Sequence, residues 1–438
     1  MRHFSAPPIP TDSTPAVNVY TGGMAQAHRW LLTRDFSLMW WSQVLSQVAE
    51  GISKLALLWF VYAVTGSPLK TTVIGLLQTL PPILFGPFIG VIVDRFPKKT
   101  ILIASDVARG VLIGLIPCLV SVEHFTVGSL YLLTFLYGVA TAVFVPTLSS
   151  AVPFMVARPQ FTAANALLQS TTSLGIIIGP AVSGLGIAFA GSQDVLCLNA
   201  MTYFASAACL LPIRLRVTEA TTADGDGWRP FIRHLLEGIR YAFLTHRTVL
   251  MLIVLASVYT FGSGAFTTLF PVFGRHLLGL GPVEVGYLWS WLGVGLLLSS
   301  IGLIRMSGWD LSQRLSVITL SCALAGLALL GLTWTDDLRL AAVLVGCIGI
   351  GFGAWTPIAW GIIQEVAPAG MVGRVMAVYT ASATATSMLG MSAFGWVAES
   401  FGSVASIIGI SGVMCVLAGG SAWFGKKIGV AKIEKADV

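Results

Sequence analysis

Long apolar segments separated by short polar loops decide most of what this chain can fold into. Hydrophobic residues make up 55% of its 438 residues and charged residues only 10%, whereas a soluble domain carries about 25% charged residues. An apolar stretch of about 20 residues can cross a bilayer as a helix, which also satisfies its own backbone hydrogen bonds. We therefore predict an all-α membrane protein with twelve transmembrane helices, at about 37–64, 72–93, 100–121, 128–153, 165–190, 194–213, 248–272, 282–305, 314–334, 338–363, 374–397 and 403–424.

The longest polar interval lies between the sixth and seventh apolar segments and divides the chain into two pseudo-symmetric six-helix halves. Two related halves are typical of transporters that work by alternating access. The polar interval contains an amphipathic helix at 230–245, and the N-terminal tail lacks the apolar core of a signal peptide. We predict a disordered tail, a first half, a linker, a second half and a basic tail, at 1–33, 34–213, 214–247, 248–425 and 426–438.

The positive charges predict how the chain is oriented in the membrane. Most of the 25 Lys and Arg residues fall in loops on the side that also holds both chain ends. Because cytoplasmic loops carry an excess of Lys and Arg, we expect both termini in the cytoplasm of a bacterial cell and the helices in its inner membrane. The net charge of +6 then reflects orientation and gives no reason to expect a nucleic-acid partner.

The loop at 86–99, GPFIGVIVDRFPKK, carries the most specific motif. Its pattern is G-x-x-x-D-R-x-x-[KR]-[KR], formed by Gly90, Asp94, Arg95, Lys98 and Lys99. Glycine allows two helices to approach closely, and a carboxylate at a helix end can accept a backbone N–H or meet a cation. Between the second and third apolar segments, this pattern resembles the signature loop of the major facilitator superfamily, although proline replaces a usual glycine at position 97.

Further stretches resemble one branch of that superfamily, the exporters that include the macrolide efflux pumps and the enterobactin exporter. They lie at 36–72, 158–171 and 368–378. In the fifth segment, GIIIGPAVSG resembles the glycine–proline motif of the exporters, and it supplies Gly175, Gly179, Pro180 and Gly184. The resemblance implies export. The alternative for this run is ordinary close packing of small residues around a tolerated proline.

Four polar residues form a stripe on the first predicted helix. Gln43, Gln47, Glu50 and Lys54 follow the spacing i, i+4, i+7 and i+11, which places them on one helix face. A charge at mid-bilayer costs about 2.5–3.5 kcal/mol on insertion scales, so this face should meet a partner or water. We interpret Glu50 as a candidate proton carrier, with Lys54 modulating it or meeting an anionic substrate group. The alternative is a structural ion pair between the two residues.

Two further sets of residues are candidates for gating and for substrate contact. Asp106 and Arg109 lie one helical turn apart in the third segment, near its cytoplasmic end, and a local pair that supports the signature loop or opens during gating is expected. In the facilitator fold the first, fourth, seventh and tenth helices line the cavity. The resemblance therefore implies aromatic cavity walls, although Trp also marks membrane interfaces, and the candidates are Tyr259, Phe266, Trp355 and Trp360.

Together these features predict a secondary transporter that exports a small amphipathic molecule, such as a drug, macrolide or siderophore, in exchange for protons. The expected partners are the substrate, protons and the lipid bilayer, and the expected state is a monomer. No nucleotide-binding motif, metal-ligand spacing or nucleophile elbow occurs in the sequence, so we expect neither an enzyme nor a cofactor or metal. The alternatives are an importer or lysolipid flippase of the same fold and, more distantly, a membrane-embedded sensor or enzyme.

Overall fold

The structure, a computed structural model, describes residues 34–121, 126–156, 161–214, 239–241, 247–304, 309–367 and 371–436. Within these ranges the chain forms twelve helices of 19 residues or more and no strand. Their bounds are α1 Arg34–Thr65, α2 Pro68–Arg95, α3 Lys98–Ser121, α4 Val127–Ala151, α5 Phe161–Ala190, α6 Ser192–Leu210, α7 Arg247–Leu278, α8 Pro282–Ile304, α9 Leu311–Gly331, α10 Leu338–Val366, α11 Val372–Phe401 and α12 Ser403–Ala436.

Most of these helices have the length and composition of membrane spans. In the described ranges, nine helices are long and apolar enough to cross a membrane, and α2, α6 and α11 pack among them. The predicted all-α membrane fold is therefore confirmed, whereas the number of twelve crossings remains a prediction. The tail 1–33 and most of the predicted amphipathic helix at 230–245 lie outside the described residues.

Short turns fix the direction of successive helices. The α1–α2 turn consists of Gly66, with φ at +65°, and Ser67, whose hydroxyl accepts a hydrogen bond from the Lys70 amide at 3.2 Å. Pro68 then opens α2 at a position where the missing N–H is not needed. Gly402, with φ at +89°, alone connects α11 to α12. Such turns make neighbouring helices antiparallel.

The two halves repeat one packing pattern. In the first half α1 packs on α5 and α6, α3 packs on α4 and α6, and α2 packs on α4. In the second half the same pairs recur six helices later: α7 packs on α11 and α12, α9 on α10 and α12, and α8 on α10. The halves meet most extensively through α2 with α11 and α5 with α8, and α7 also contacts both α1 and α2.

The contacts between the halves lie toward one end of the bundle. At this end, which we call the distal end, the turns α1–α2, α7–α8 and α11–α12 lie together, as shown by the hydrogen bonds from Tyr62 to His276 at 2.5 Å and from Ser67 to Glu399 at 2.8 Å. Small residues bring the helices close there, because a Cβ at Gly395 would lie 2.5 Å from the Thr72 hydroxyl. The distal end is therefore closed by polar bridges and close helix packing.

The α5–α8 crossing predicts a specific effect of added side-chain volume. A Cβ at Gly286 would meet the carbonyl oxygen of Pro180 and the backbone of Gly184. Overpacking of this kind typically costs about 1–3 kcal/mol, so we expect Gly286→Val to lower the thermal unfolding temperature of the detergent-solubilised protein.

Gly412 on α12 provides the matched control, because a Cβ at this position would have no neighbour within 4 Å. Gly412→Val should leave the unfolding temperature close to that of the wild type. An equal decrease in the unfolding temperature of both variants would contradict the importance of Gly286 for close packing of α5 on α8.

Candidate functional site

The polar stripe on α1 divides into a buried part and an accessible part. Gln43 and Gln47 are buried, and the backbone of Gln47 lies against Gly175 of α5. Glu50 is half-buried and Lys54 is exposed. Close packing of α1 on α5 covers Gln47, and only 3% of Gln43 remains exposed, so in this conformation these two residues meet neighbouring helices, and a role for them in lining a cavity stays a prediction.

Glu50 and Lys54 do not form an ion pair in this conformation. Among the described residues, no contact within 4.0 Å joins the Glu50 carboxylate to the Lys54 ammonium group. The Lys54 Nζ instead lies 5.8 Å from the ring centroid of Trp289 on α8, in the other half, a distance at which a cation is attracted to an aromatic face. The accessible part of the α1 stripe thus presents an acid and a base beside the junction of the two halves.

Asp106 and Arg109 form the local pair that their spacing predicts. They follow Lys98, the first residue of α3, by about 12 and 17 Å of helix. Both side chains are fully buried and ion-paired. Their proposed part in gating stays a prediction.

Hydrogen bonds from three helices satisfy the Asp106 carboxylate. It accepts from Arg109, from the Ser206 hydroxyl on α6 at 2.7 Å and from the Ser46 hydroxyl on α1 at 3.3 Å. Arg109 also donates to Ser46 at 2.9 Å. The Ser206 oxygen also lies 2.9 Å from the Ser42 hydroxyl on α1, from which it can accept a hydrogen bond. The ion pair thus joins α1, α3 and α6.

Aromatic residues complete this buried polar network. The Arg109 guanidinium carbon lies 4.2 Å from the Phe144 ring centroid on α4 and 4.8 Å from that of Tyr203 on α6. The Tyr203 and Tyr137 hydroxyls are hydrogen-bonded at 2.7 Å, which ties α4 to α6. Among the described residues, two guanidinium nitrogens of Arg109, Nε and Nη1, have no hydrogen-bond partner, so the ring faces are their nearest compensation.

Sequence reasoning missed the partners of this network. A signal was present on α6, where Asn199, Tyr203 and Ser206 follow the spacing i, i+4 and i+7 and therefore share a helix face. Asn199 uses this face to donate to the Ser53 hydroxyl on α1 at 2.6 Å. A polar stripe on a membrane helix indicates neighbours that can satisfy it, and here the neighbours are α1, α3 and α4.

The fifth-helix motif has two contact surfaces. Gly175 and Gly179 face α1, where an added Cβ would meet the backbone of Gln47 or Gly51. Gly184 faces α8 of the other half, where it would meet the backbone of Pro282. The motif, in which Pro180 also lies against α8, therefore joins α1 to α5 within one half and α5 to α8 between the halves.

Three of the four aromatic cavity candidates lie in the core of the second half. Tyr259 and Trp355 stack with ring centroids 5.3 Å apart, the Trp355 indole donates to the Tyr379 hydroxyl at 3.0 Å, and Phe266 is fully buried. In this conformation their rings join α7, α10 and α11 to one another, and a place for Tyr259, Phe266 and Trp355 in a cavity wall stays a prediction. Trp360 is exposed, and its role stays a prediction.

The signature loop connects α2 and α3. Gly90, Asp94 and Arg95 belong to the last turns of α2, and Lys98 and Lys99 open α3. The Lys98 ammonium group donates to the Val93 carbonyl, and that of Lys99 to the Leu211 carbonyl, just after the end of α6, at 2.6 Å. Lysines placed on the last carbonyls of a helix complement its negative end, so the loop holds three helix ends together.

Two helical halves that repeat one packing pattern are the arrangement expected of a membrane transporter. The sequence profile of the Major Facilitator Superfamily matches residues 39–390, and the chain therefore belongs to that superfamily. This confirms the resemblance that the signature loop indicates.

Relatives with assigned functions include efflux proteins. Macrolide efflux protein A of Streptococcus pyogenes is 23% identical over 354 residues, which cover 80% of this chain and 86% of that protein. Multidrug efflux pump Tap of Mycolicibacterium fortuitum is 26% identical over 385 residues, covering 84% and 90%. A solved structure with the same fold is an inward-facing, unoccupied bacterial homolog of the human lysosomal transporter Spinster, with a TM-score of 0.69 at 13% identity, covering 89% of this chain and 96% of that one.

The buried network predicts that the Asp106–Arg109 pair contributes much more to the free energy of unfolding than an exposed ion pair of this chain does. Removing one partner of a buried pair typically costs about 3–5 kcal/mol, so Asp106→Ala should strongly destabilise the protein, whereas Asp106→Asn, which keeps an acceptor for Ser46 and Ser206, should do so less. Thermal unfolding in detergent, with size-exclusion chromatography to confirm folding, measures both.

The pair between Arg314 and Glu365, 2.7 Å apart, is the control. Glu365 is exposed, and an exposed pair contributes only about 0–1 kcal/mol, so Glu365→Ala should have little effect. An Asp106→Ala variant as stable as Glu365→Ala would contradict the structural importance of the network.

Proposed function

We propose that this protein exports a small amphipathic molecule, such as a drug, macrolide or siderophore, by alternating access in exchange for protons. The observation that carries the proposal is the state of Glu50: a half-buried acid in the middle of α1 with no hydrogen bond or ion pair among the described residues. An unpaired acid at membrane depth is by default a functional group. The efflux relatives support the outward direction.

The proposed orientation places both termini in the cytoplasm of a bacterial cell, with the helices in its inner membrane. The excess of Lys and Arg on the side of the termini supports this orientation. The closed distal end then faces the outside, and the conformation corresponds to one that receives substrate from the cytoplasm. In the proposed cycle, rocking of the halves about the α2–α11 and α5–α8 contacts opens the distal end and releases the substrate.

Glu50 would couple this cycle to the proton gradient through its charge. Moving an ionised carboxylate into a closed, poorly hydrated site costs free energy, and protonation removes that cost. A protonated Glu50 can therefore accompany the return of the empty transporter, and release of the proton into the cytoplasm prepares the site for the next substrate. No bound nucleotide is needed, because the gradient supplies the free energy.

Everted membrane vesicles with an acidic interior test the proposal. With wild-type protein, we expect uptake of one or more compounds from a panel of cationic dyes, macrolides and siderophores, and an uncoupler should abolish it. With Glu50→Gln, gradient-driven uptake should fall to the level of vesicles without the protein, because the amide cannot carry a proton. Substrate counterflow without a gradient should persist in this variant.

Glu365→Gln, a substitution of an exposed acid, should transport like the wild type. If Glu50→Gln retains full gradient-driven uptake, Glu50 does not couple transport to protons. If no compound of the panel is taken up with the wild-type protein, the outward direction loses its support in favour of import or lysolipid flipping, which radiolabelled uptake in cells and a lysolipid assay would detect.

The positive charge of Lys54 predicts a preference for anionic substrates. Lys54 is an exposed residue, and its ammonium group lies outside ion-pair distance of Glu50, so we expect it to meet an anionic substrate group. A hydrogen bond to a charged group contributes about 1.5–3 kcal/mol, so Lys54→Met should raise KM about tenfold or more for anionic siderophores. KM for cationic dyes should not rise. A uniform change across the panel would show that Lys54 does not contact substrate.

A further inference from the structure

A carboxylate from the second half lies on the first turn of a helix in the first half. Glu399 is located near the C-terminal end of α11. Its Oε2 atom accepts hydrogen bonds from the Ser67 hydroxyl at 2.8 Å and from the Leu69 amide at 3.3 Å. Ser67 is the N-cap residue of α2, and Leu69 is the second residue of that helix. Glu399 therefore supplies part of a helix cap across the boundary between the halves.

The charge of Glu399 suits this position. The first N–H groups of a helix have no partner within the helix, and the helix dipole gives this end a partial positive charge. Hydrogen bonds to an ionised acceptor are about twice as strong as those between neutral groups. An ionised Glu399 thus binds the start of α2 more strongly than a neutral side chain of the same shape would.

Other contacts between the halves lie close to this helix cap, at the distal end. About one helical turn from this cap, the Thr72 side chain of α2 packs directly against Gly395 of α11. A second bridge between the halves, the hydrogen bond between Tyr62 and His276 at 2.5 Å, lies at the same end. At the α2–α11 crossing, Glu399 bonds directly to two groups of the other half.

We propose that Glu399 is a positioning residue that holds the distal end closed by capping α2 through its negative charge. The proposal rests on membership in the superfamily and on this geometry, and it does not depend on export or on proton coupling at Glu50. Opening of the distal end must break both hydrogen bonds to Glu399, because they join the two parts that separate. Neutralising Glu399 therefore shifts the equilibrium toward the open state.

Distances between two spin labels in lipid nanodiscs can measure this equilibrium. The label sites are Gly128 at the start of α4 and Arg339 at the start of α10, one in each half, both exposed. A Cβ at Gly128 would have its nearest neighbour at 3.8 Å, so Gly128→Cys is tolerated, and the six native cysteines are first replaced by alanine. Double electron–electron resonance then measures the distances between the two labels and so gives the fraction of molecules in which the distal end is open.

With Glu399→Gln, we expect the open fraction to rise about three- to tenfold, consistent with the loss of one charge at a helix N-terminus. Glu399→Asp, which keeps the charge, should open less than Glu399→Gln. The matched control is Glu284→Gln, because Glu284 also lies in the second half, in the first turn of α8, and makes no hydrogen bond across to the first half among the described residues. This control should leave the distance distribution unchanged.

An unchanged distribution in folded Glu399→Gln would overturn the proposal, as would an equal change in Glu284→Gln. If Glu399→Gln does not fold, Ser67→Ala tests the same contact from the other side. Removing the hydroxyl donor should increase the open fraction less than neutralising the acid, because the Leu69 amide still binds the carboxylate. No increase in Ser67→Ala would then also overturn the proposal.

Discussion

A charge in the hydrocarbon core must be paired or must reach water, and the arrangement of the first half follows from this constraint. Asp106 and Arg109 meet it by pairing, with hydroxyl groups and aromatic faces from three other helices around them. Glu50 and Lys54 meet it differently, because they are accessible and have no ion-pair partner within 4.0 Å among the described residues. The same cost of a buried charge thus yields a rigid core on one side of α1 and a reactive surface on the other.

Close packing at glycine residues is the second feature that holds the helices together. In a membrane, helices associate through close contact rather than through exclusion of water, and Gly175, Gly179 and Gly184 let α5 approach both α1 and α8. The first two contacts hold one half together, whereas the third lies between halves. One short motif therefore contributes both to the packing within a half and to the contact between the halves.

The sequence predicts those features that depend on local composition. Helices, the division into halves and the accessible acid on α1 follow from apolar length and spacing, which a single segment determines. The aromatic residues show the limit, because the spacing of Tyr259 and Trp355 does not reveal that they stack on each other or that Trp355 bonds to the Tyr379 hydroxyl. The partners of Asp106 likewise lie on helices distant in sequence.

The distal contacts differ in kind from those inside each half, and this difference allows movement. Between the halves, the polar contacts are individual hydrogen bonds, such as that between Tyr62 and His276 at helix ends and that from Ser290 to the Ile177 carbonyl oxygen. Each contributes about 0.5–1.5 kcal/mol net between neutral groups and about 1.5–3 kcal/mol where one group is charged. Within the first half, a fully buried ion pair is held by several helices at once, and breaking it costs about 3–5 kcal/mol. The halves can therefore separate at a modest cost while each keeps its internal structure, which is the condition for rigid-body rocking.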